Sequence, residues 1–141
     1  MRKTDFDLGN PTVVLRLLCG LLYAPHILFK LNNMAGSAAF FGRVLPLPTL
    51  FLYLALAAEL ACLLGLTLNV LVKWVGLVSA GVMAIAVYAT LMTKGAGWLW
   101  NLGGVEYLVF WGLASVSLAA HAWAQEHARH GRYYLLLPPA G

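Results

Sequence analysis

The sequence predicts an all-α integral membrane protein, a single-domain bundle of four transmembrane helices over residues 1–141. Hydrophobic residues make up 62% of the chain and charged residues 10%, whereas ordinary soluble domains carry about 25% charged residues. The 20 residues between Lys73 and Lys94 contain no charge, and a helix of that length covers roughly 30 Å, the thickness of a bilayer's hydrocarbon core. A soluble fold could not bury this much apolar surface, so we expect the chain to lie in a membrane.

Four apolar segments predict the four spans, at about 12–31, 49–68, 72–92 and 103–123. Pro11 suits the start of the first helix, and Pro46 and Pro48 separate the first span from the second. Residues 32–47 are largely apolar and suit a short helix in the membrane interface. The second and third spans are joined by only about five residues, 67–71, and are expected to form a tight helical hairpin. A polar cytoplasmic tail, 124–141, follows the fourth span.

A secretory signal peptide is the alternative interpretation of the first segment. Small residues at Ala35-Gly36-Ser37-Ala38 resemble a cleavage site. The apolar stretch before them contains Arg16, Pro25 and His26, whereas the apolar region of a signal peptide is normally uninterrupted. We therefore expect the first segment to be a transmembrane span.

The distribution of Lys and Arg predicts the orientation, because cytoplasmic loops carry the excess of these residues. One side of the membrane would hold Arg2, Lys3, Lys73, Arg129 and Arg132, and the other would hold Lys30, Arg43 and Lys94. Both termini are therefore expected in the cytoplasm. The net charge of +4 comes mostly from residues that flank apolar segments, which favours contact with membrane lipids over nucleic-acid binding.

The charged residues within the spans are the candidate functional residues. On a helix, the polar residues of the first span share one face about 80° wide; they are Arg16, Cys19, Tyr23, His26 and Lys30. Glu59 lies near the middle of the second span, and Glu106 lies one turn into the fourth. An unpaired charge at mid-bilayer costs at least ~2.5–3.5 kcal/mol, so each charge is expected to have a partner.

Depth, counted from the ends of the antiparallel spans, predicts how these charges pair. It favours an inner pair, Arg16–Glu59, and an outer cluster in which Lys30 pairs with Glu106. His26 is expected beside the outer cluster. Two interpretations remain open: the pairs set the helix register only, or they line a polar cavity that holds a small ligand or relays protons.

The sequence predicts no metal site and no intrinsic cofactor. Cys19 and Cys62 do not form a Cys-x-x-Cys pair, and they are either a redox pair or small hydrophobic residues of the core. His26 and His121 are expected near opposite faces of the membrane, too far apart to share a haem iron. The catalytic residues, if there is a reaction, are not identified by the sequence.

Four motifs in order resemble the DoxX family of small four-span bacterial membrane proteins, over about residues 12–135. They are Leu15-Arg16-Leu17 with Gly20, Pro25-His26 and Phe29-Lys30-Leu31; Ala58-Glu59-Leu60 with Leu64-Gly65-Leu66; Trp100-Asn101-Leu102-Gly103-Gly104-Val105-Glu106-Tyr107; and Gly131-Arg132-Tyr133. The resemblance implies a multi-pass protein of the bacterial inner membrane. It also implies a quinone-linked redox role, because the family is named after a subunit of a thiosulfate:quinone oxidoreductase.

The resemblance and the charges together lead to a hypothesis of an accessory subunit that takes electrons from a bound protein partner. Lys30, His26 and Glu106 would bind the head of a quinone or small acid, between aromatic side chains of Trp98, Trp100 and Tyr107, with Arg16 and Glu59 in the inner half. A non-enzymatic assembly factor or chaperone, with purely structural ion pairs, is the alternative. A transporter is a third interpretation, and 141 residues would have to dimerise to supply gated repeats.

Overall fold

A computed structural model describes residues 3–136 of the chain as a bundle of helices. The α-helices are α1 (Pro11–Leu21), α2 (Tyr23–Asn32), α3 (Met34–Phe41), α4 (Pro48–Thr67), α5 (Val72–Lys94) and α6 (Glu106–His130), with short 3-10 turns at Lys3–Phe6 and Trp100–Leu102. No strand occurs within residues 3–136, so the predicted all-α class is confirmed. Arg2 and residues 137–141 of the predicted tail lie outside the described residues.

Four helical segments are long and apolar enough to cross a membrane: Pro11–Asn32, Pro48–Thr67, Val72–Lys94 and Glu106–His130. The first three begin and end within two residues of the prediction. The fourth starts three residues later than expected and continues seven residues further. These last residues are polar, so hydropathy does not assign them to the span, but several of them favour a helix. It ends at Gly131, whose φ of 67° suits the left-handed helix cap that glycine tolerates.

The four spans pack in a ring. α5 lies against α4 and α6, and α1 packs against both α4 and α6 to close it. Glycines allow two pairs of these helices to approach closely: a Cβ at Gly76 would lie 2.7 Å from the Ser115 carbonyl oxygen, and one at Gly65 would lie 2.7 Å from a Val75 methyl. After the break at Leu22, α2 and then α3 pack against α4. The ring is therefore less tightly closed in the half that contains α2 and α3.

The register between α1 and α4 is displaced. A Cβ at Gly20 would lie 2.8 Å from Thr67 Oγ1, so Gly20 packs against the last turn of α4. The first turns of α1, including Arg16, consequently extend beyond the end of α4. This displacement determines which charges of the first two spans can meet.

Both ends of the described chain contact the side of the bundle that carries the α4–α5 turn, here called the hairpin face (residues 68–73). Asn69 Nδ2 donates to Asp5 Oδ1 at 2.9 Å, and Lys73 Nζ donates to the Tyr134 carbonyl oxygen. An even number of spans requires such an arrangement, because the chain returns to the side from which it started.

Residues 124–136, the described part of the predicted tail, are mostly exposed, but Glu126 and Tyr134 attach them to the bundle. Glu126 is an acceptor for two groups at the hairpin face: its Oε2 lies 2.7 Å from Lys73 Nζ, and its Oε1 accepts from the Tyr134 amide at 2.6 Å. Trp74 Nε1 also donates to the Leu135 carbonyl oxygen at 2.6 Å. The buried Lys73 ammonium thus holds the chain after Gly131 against the bundle. His127 and His130 are exposed, as expected.

Candidate functional site

Lys30 and Glu59 form an ion pair between α2 and α4. Lys30 Nζ lies 2.6 Å from Glu59 Oε1 and 2.8 Å from Oε2, and the two side chains are only 15% and 8% exposed. The predicted pairs Arg16–Glu59 and Lys30–Glu106 are therefore wrong. The residues were correctly selected as charges within the spans, but the partners differ.

The displaced helix register explains the different pairing. Lys30 follows Gly20 by ten residues, a rise of about 15 Å along the helix. Glu59 precedes Thr67 by eight residues, a rise of about 12 Å in the antiparallel helix. Because Gly20 and Thr67 are in contact, Lys30 and Glu59 reach almost the same level. A depth counted from the helix ends does not predict this pairing, because the adjacent ends of α1 and α4 lie at different levels.

Arg16 instead binds the C-terminal end of α4. Its guanidinium donates to the carbonyl oxygens of Leu66 and Thr67, the latter at 3.0 Å, and to the Asp5 carbonyl oxygen. The last carbonyls of a helix have no partner within the helix and carry the negative end of its dipole, which a cation stabilises. Arg16 therefore acts as a helix cap, with the Phe6 ring 5.9 Å from its guanidinium carbon.

Glu106 is the first residue of α6 and is half-buried. Its backbone N–H donates to the Trp98 carbonyl oxygen at 3.0 Å, but its carboxylate makes no hydrogen bond or ion pair with any residue between 3 and 136. A carboxylate in the first turn of a helix is favoured by the helix dipole without a side-chain partner. Glu106 is thus separate from the Lys30–Glu59 pair.

The Lys30–Glu59 pair lies in the wall of a cavity of about 1140 Å³. The cavity is bounded by α2, α3, α4 and α5, on the half of the bundle away from the hairpin face, and α6 contributes none of its lining. Its polar lining consists of His26, Lys30, Asn33, Ser37, Glu59 and Lys94, and its aromatic lining of Phe29, Phe40, Phe41, Phe51 and Tyr88. The remaining lining is aliphatic, so the arrangement suits an apolar molecule with a small polar group.

The aromatic residues chosen from the sequence lie elsewhere. Trp98, Trp100 and Tyr107 are exposed on the surface and do not line the cavity. The phenylalanines that line it were missed. Two of them, Phe40 and Phe41, belong to α3, whose position over α4 only the tertiary structure defines. The signal in the sequence was the apolar, aromatic character of the segment between the first two spans.

His26 lines the cavity one turn before Lys30, and its ring lies 5.9 Å from that of Trp111. Below it, buried hydroxyl groups connect three spans: Tyr23 Oη lies 2.7 Å from Ser79 Oγ, which lies 2.7 Å from Ser115 Oγ. The sequence does not reveal these hydrogen bonds, because the three hydroxyls belong to three separate helices.

Cys19 and Cys62 are buried free thiols in the apolar core. The Cys62 thiol is directed to the Val75 carbonyl oxygen at 3.8 Å. Packing of this kind is typical of cysteine used as a small hydrophobic residue.

The fold and the site define a multi-pass membrane protein with an ion pair in the wall of a mostly apolar cavity. The DoxX family model matches residues 12–92, more than half of the chain. The chain therefore belongs to the DoxX family, as the motifs indicated. The match covers the first three spans and includes Arg16, His26, Lys30 and Glu59. No curated protein and no solved structure gave a significant match.

Proposed function

We propose that this protein is an accessory subunit of a quinone-linked redox system, and that its cavity binds the polar head of a quinone or of a small acid. The observation that supports the proposal is the position of the Lys30–Glu59 pair in the cavity wall. Ionisable groups within a membrane are costly and commonly mark ligand or proton pathways. The cavity volume of about 1140 Å³ also suffices for such a ligand, since small-molecule pockets typically occupy about 300–1,000 Å³.

Lys30 would provide the main hydrogen bond to the ligand. An ammonium group has three N–H donors, and two of those of Lys30 are directed to Glu59. The third would donate to a carbonyl or carboxylate oxygen, while Glu59 holds the ammonium in place. His26, one turn earlier, would supply the second polar group. Glu106 does not line the cavity and would take no part in binding.

The proposed protein setting follows from the charges outside the spans. With the hairpin face and both termini in the cytoplasm of a bacterium, the cavity would lie in the outer half of the inner membrane. Reduction of a quinone to a quinol consumes two electrons and two protons. The sequence contains no flavin, haem or metal motif, so a protein partner would deliver the electrons.

Lys30→Gln tests the proposal. Purified full-length protein in lipid nanodiscs would be titrated with short-chain ubiquinone and with menadione, and binding followed by quenching of tryptophan fluorescence. We expect saturable binding to the natural sequence and a loss of about tenfold to hundredfold in affinity for Lys30→Gln, since a hydrogen bond to a charged group contributes about 1.5–3 kcal/mol.

Lys73→Gln is the matched control, because Lys73 forms a comparably buried ion pair with Glu126 outside the cavity. Its affinity per folded molecule should equal that of the natural sequence. Absence of quinone binding to the natural sequence would contradict the proposal. Loss of folded protein in both variants, without any specific loss of binding, would favour an assembly factor whose ion pairs are structural.

A further inference from the structure

A groove separate from the larger cavity lies between the start of α5, the last turns of α6 and the chain after Gly131. It has a volume of about 490 Å³ and is called the tail groove here; its lining consists of Trp74, Trp123, Tyr133, Tyr134 and Leu135. The Trp74 and Trp123 rings pack edge to face on one side. Trp74 Nε1 donates to the Leu135 carbonyl oxygen and so holds the chain on the other side. The lining of the larger cavity includes none of these residues.

The tail groove lies where two spans leave the apolar part of the bundle. Trp74 is the third residue of α5, and Trp123 is followed on α6 by mostly polar residues. Tryptophan and tyrosine rings are enriched at this level of a membrane, beside the lipid headgroups. The wall after Gly131 is also apolar and exposed, since Tyr133 is 64% and Leu135 is 77% exposed. Apolar side chains beside basic residues are typical of segments in the membrane interface, so we expect lipid to cover this wall.

The rim of the tail groove is basic. Arg132 Nε donates to Tyr134 Oη at 2.8 Å, and its guanidinium carbon lies 4.9 Å from the centre of the same ring. Arg129, in the last turn of α6, is exposed. Neither arginine forms an ion pair within residues 3–136, and Glu126, the acidic residue nearest to them in sequence, is bound to Lys73 instead. The positive charge of the rim is therefore available to an anion.

We infer that the tail groove binds an anionic phospholipid, with the phosphate at Arg132 and Arg129 and an acyl chain between Trp123 and Leu135. Basic pockets beside transmembrane helices bind anionic headgroups. Charge and lining together select this ligand. A free phosphate would leave the apolar wall uncovered, and the ammonium group of a zwitterionic lipid would be repelled by the arginines. The inference is independent of the proposed function, because the tail groove and the larger cavity share no lining residue.

The experiment measures lipid binding to the full-length protein in detergent by native mass spectrometry. The probes are phosphatidylglycerol, which is anionic, and phosphatidylcholine with the same acyl chains. We expect the natural sequence to bind phosphatidylglycerol more tightly by a factor of about five or more. Arg132→Gln should weaken phosphatidylglycerol binding about fivefold, the contribution of one base near an anionic headgroup, and leave phosphatidylcholine binding unchanged.

Arg43→Gln is the matched control for the charge. Arg43 is also exposed and forms no ion pair with the residues that the structure describes. It directly precedes Val44 and Leu45, which line the larger cavity, so it lies in the other half of the bundle. Its replacement should leave the preference for phosphatidylglycerol as it is in the natural sequence.

A second variant tests the wall of the tail groove. Tyr133→Ser/Leu135→Ser removes two apolar side chains without changing the charge, and should weaken the binding of both lipids roughly tenfold through the lost apolar contact. The control is Leu99→Ser/Leu102→Ser, which removes side chains that are 52% and 80% exposed outside the groove. All four side chains are mostly exposed, so the variants should fold, and their unfolding midpoints would verify this.

Three results would overturn the inference. The first is equal affinity of the natural sequence for the two lipids, and the second is normal phosphatidylglycerol binding by Arg132→Gln. The third is weaker binding by Arg132→Gln together with normal binding by Tyr133→Ser/Leu135→Ser, because the arginine would then attract anionic headgroups without a groove. Quinone affinity should be the same in Arg132→Gln and the natural sequence, so failure of the lipid site leaves the proposed function intact.

Discussion

Lys30 and Glu59 depend on each other because Glu59 is buried and Lys30 is half-buried within the helical bundle. Their mutual attraction offsets the desolvation of two charges, and neither has another ion-pair partner among the described residues. The Arg16 guanidinium is stabilised instead by backbone carbonyl oxygens at the end of α4. The Arg16 cap is structural, whereas the Lys30–Glu59 pair faces a cavity.

At the residue scale we predict that Glu59→Gln will destabilise the protein by about 3–5 kcal/mol, because it leaves the Lys30 ammonium buried without a counter-charge. The double variant Lys30→Met/Glu59→Gln should recover most of this loss, since the unpaired charge is gone. Unfolding free energies in detergent micelles would measure both effects. A double variant that is no more stable than Glu59→Gln would show that the ion pair itself is not the cause.

At the scale of the elements, close approach of α1 and α4 controls the site from a distance. Gly20 is ten residues from Lys30, yet its contact with Thr67 sets the level at which Lys30 meets Glu59. The hydroxyl chain from Tyr23 to Ser115 then holds the first, third and fourth spans together. α3 completes the cavity by packing against α4.

Gly20→Val should therefore destabilise the protein by about 1–3 kcal/mol, because its side chain would overlap Thr67 and Leu66. The same variant should also lower quinone affinity, as the α1–α4 register shifts. Gly81→Ala is the matched comparison: its Cβ meets nothing, and the gain in helix propensity should stabilise the protein by up to about 1 kcal/mol. Thermal unfolding of both variants would test this. Equal effects of the two substitutions would contradict it.

At the scale of the whole molecule, the cavity lies in one half of the bundle, and the two ends of the described segment, near Asp5 and Tyr134, lie in the other. The hairpin face carries structural contacts, in which Lys73, only 4% exposed, binds both Glu126 and the Tyr134 carbonyl oxygen. Trp74 and Trp123 pack edge to face beside them, with ring centroids 5.5 Å apart. Stability at one end can thus be changed without touching the cavity at the other.

Glu126→Gln tests this arrangement. It removes the charge that binds Lys73 and weakens the acceptor of the Tyr134 amide, so the chain after Gly131 should detach. We expect trypsin to cleave at Arg132 several times faster, with quinone affinity unchanged. Gln125→Ala is the control, because within residues 3–136 the exposed Gln125 side chain hydrogen-bonds only to His121 of its own helix. Unchanged cleavage in Glu126→Gln would show that other contacts hold the segment.

The class of protein, the number of spans and both boundaries of three of the four spans, to within two residues, follow from the sequence. It also identified the charged residues within the spans. These properties are local: an apolar run of about 20 residues must form a helix in lipid, and a charge within it must find a partner. Motifs of the first, second and fourth spans and of the tail also indicated the DoxX family, whose model matches residues 12–92.

Which charges meet and where the cavity lies depend on the tertiary structure. The pairing of Lys30 with Glu59 depends on the contact of Gly20 with Thr67, and the cavity depends on α3 packing against α4. The docked chain after Gly131 likewise depends on Lys73. Each of these contacts joins segments that are distant in sequence. The register between helices is set by close packing of their side chains, which helix length and hydropathy do not specify.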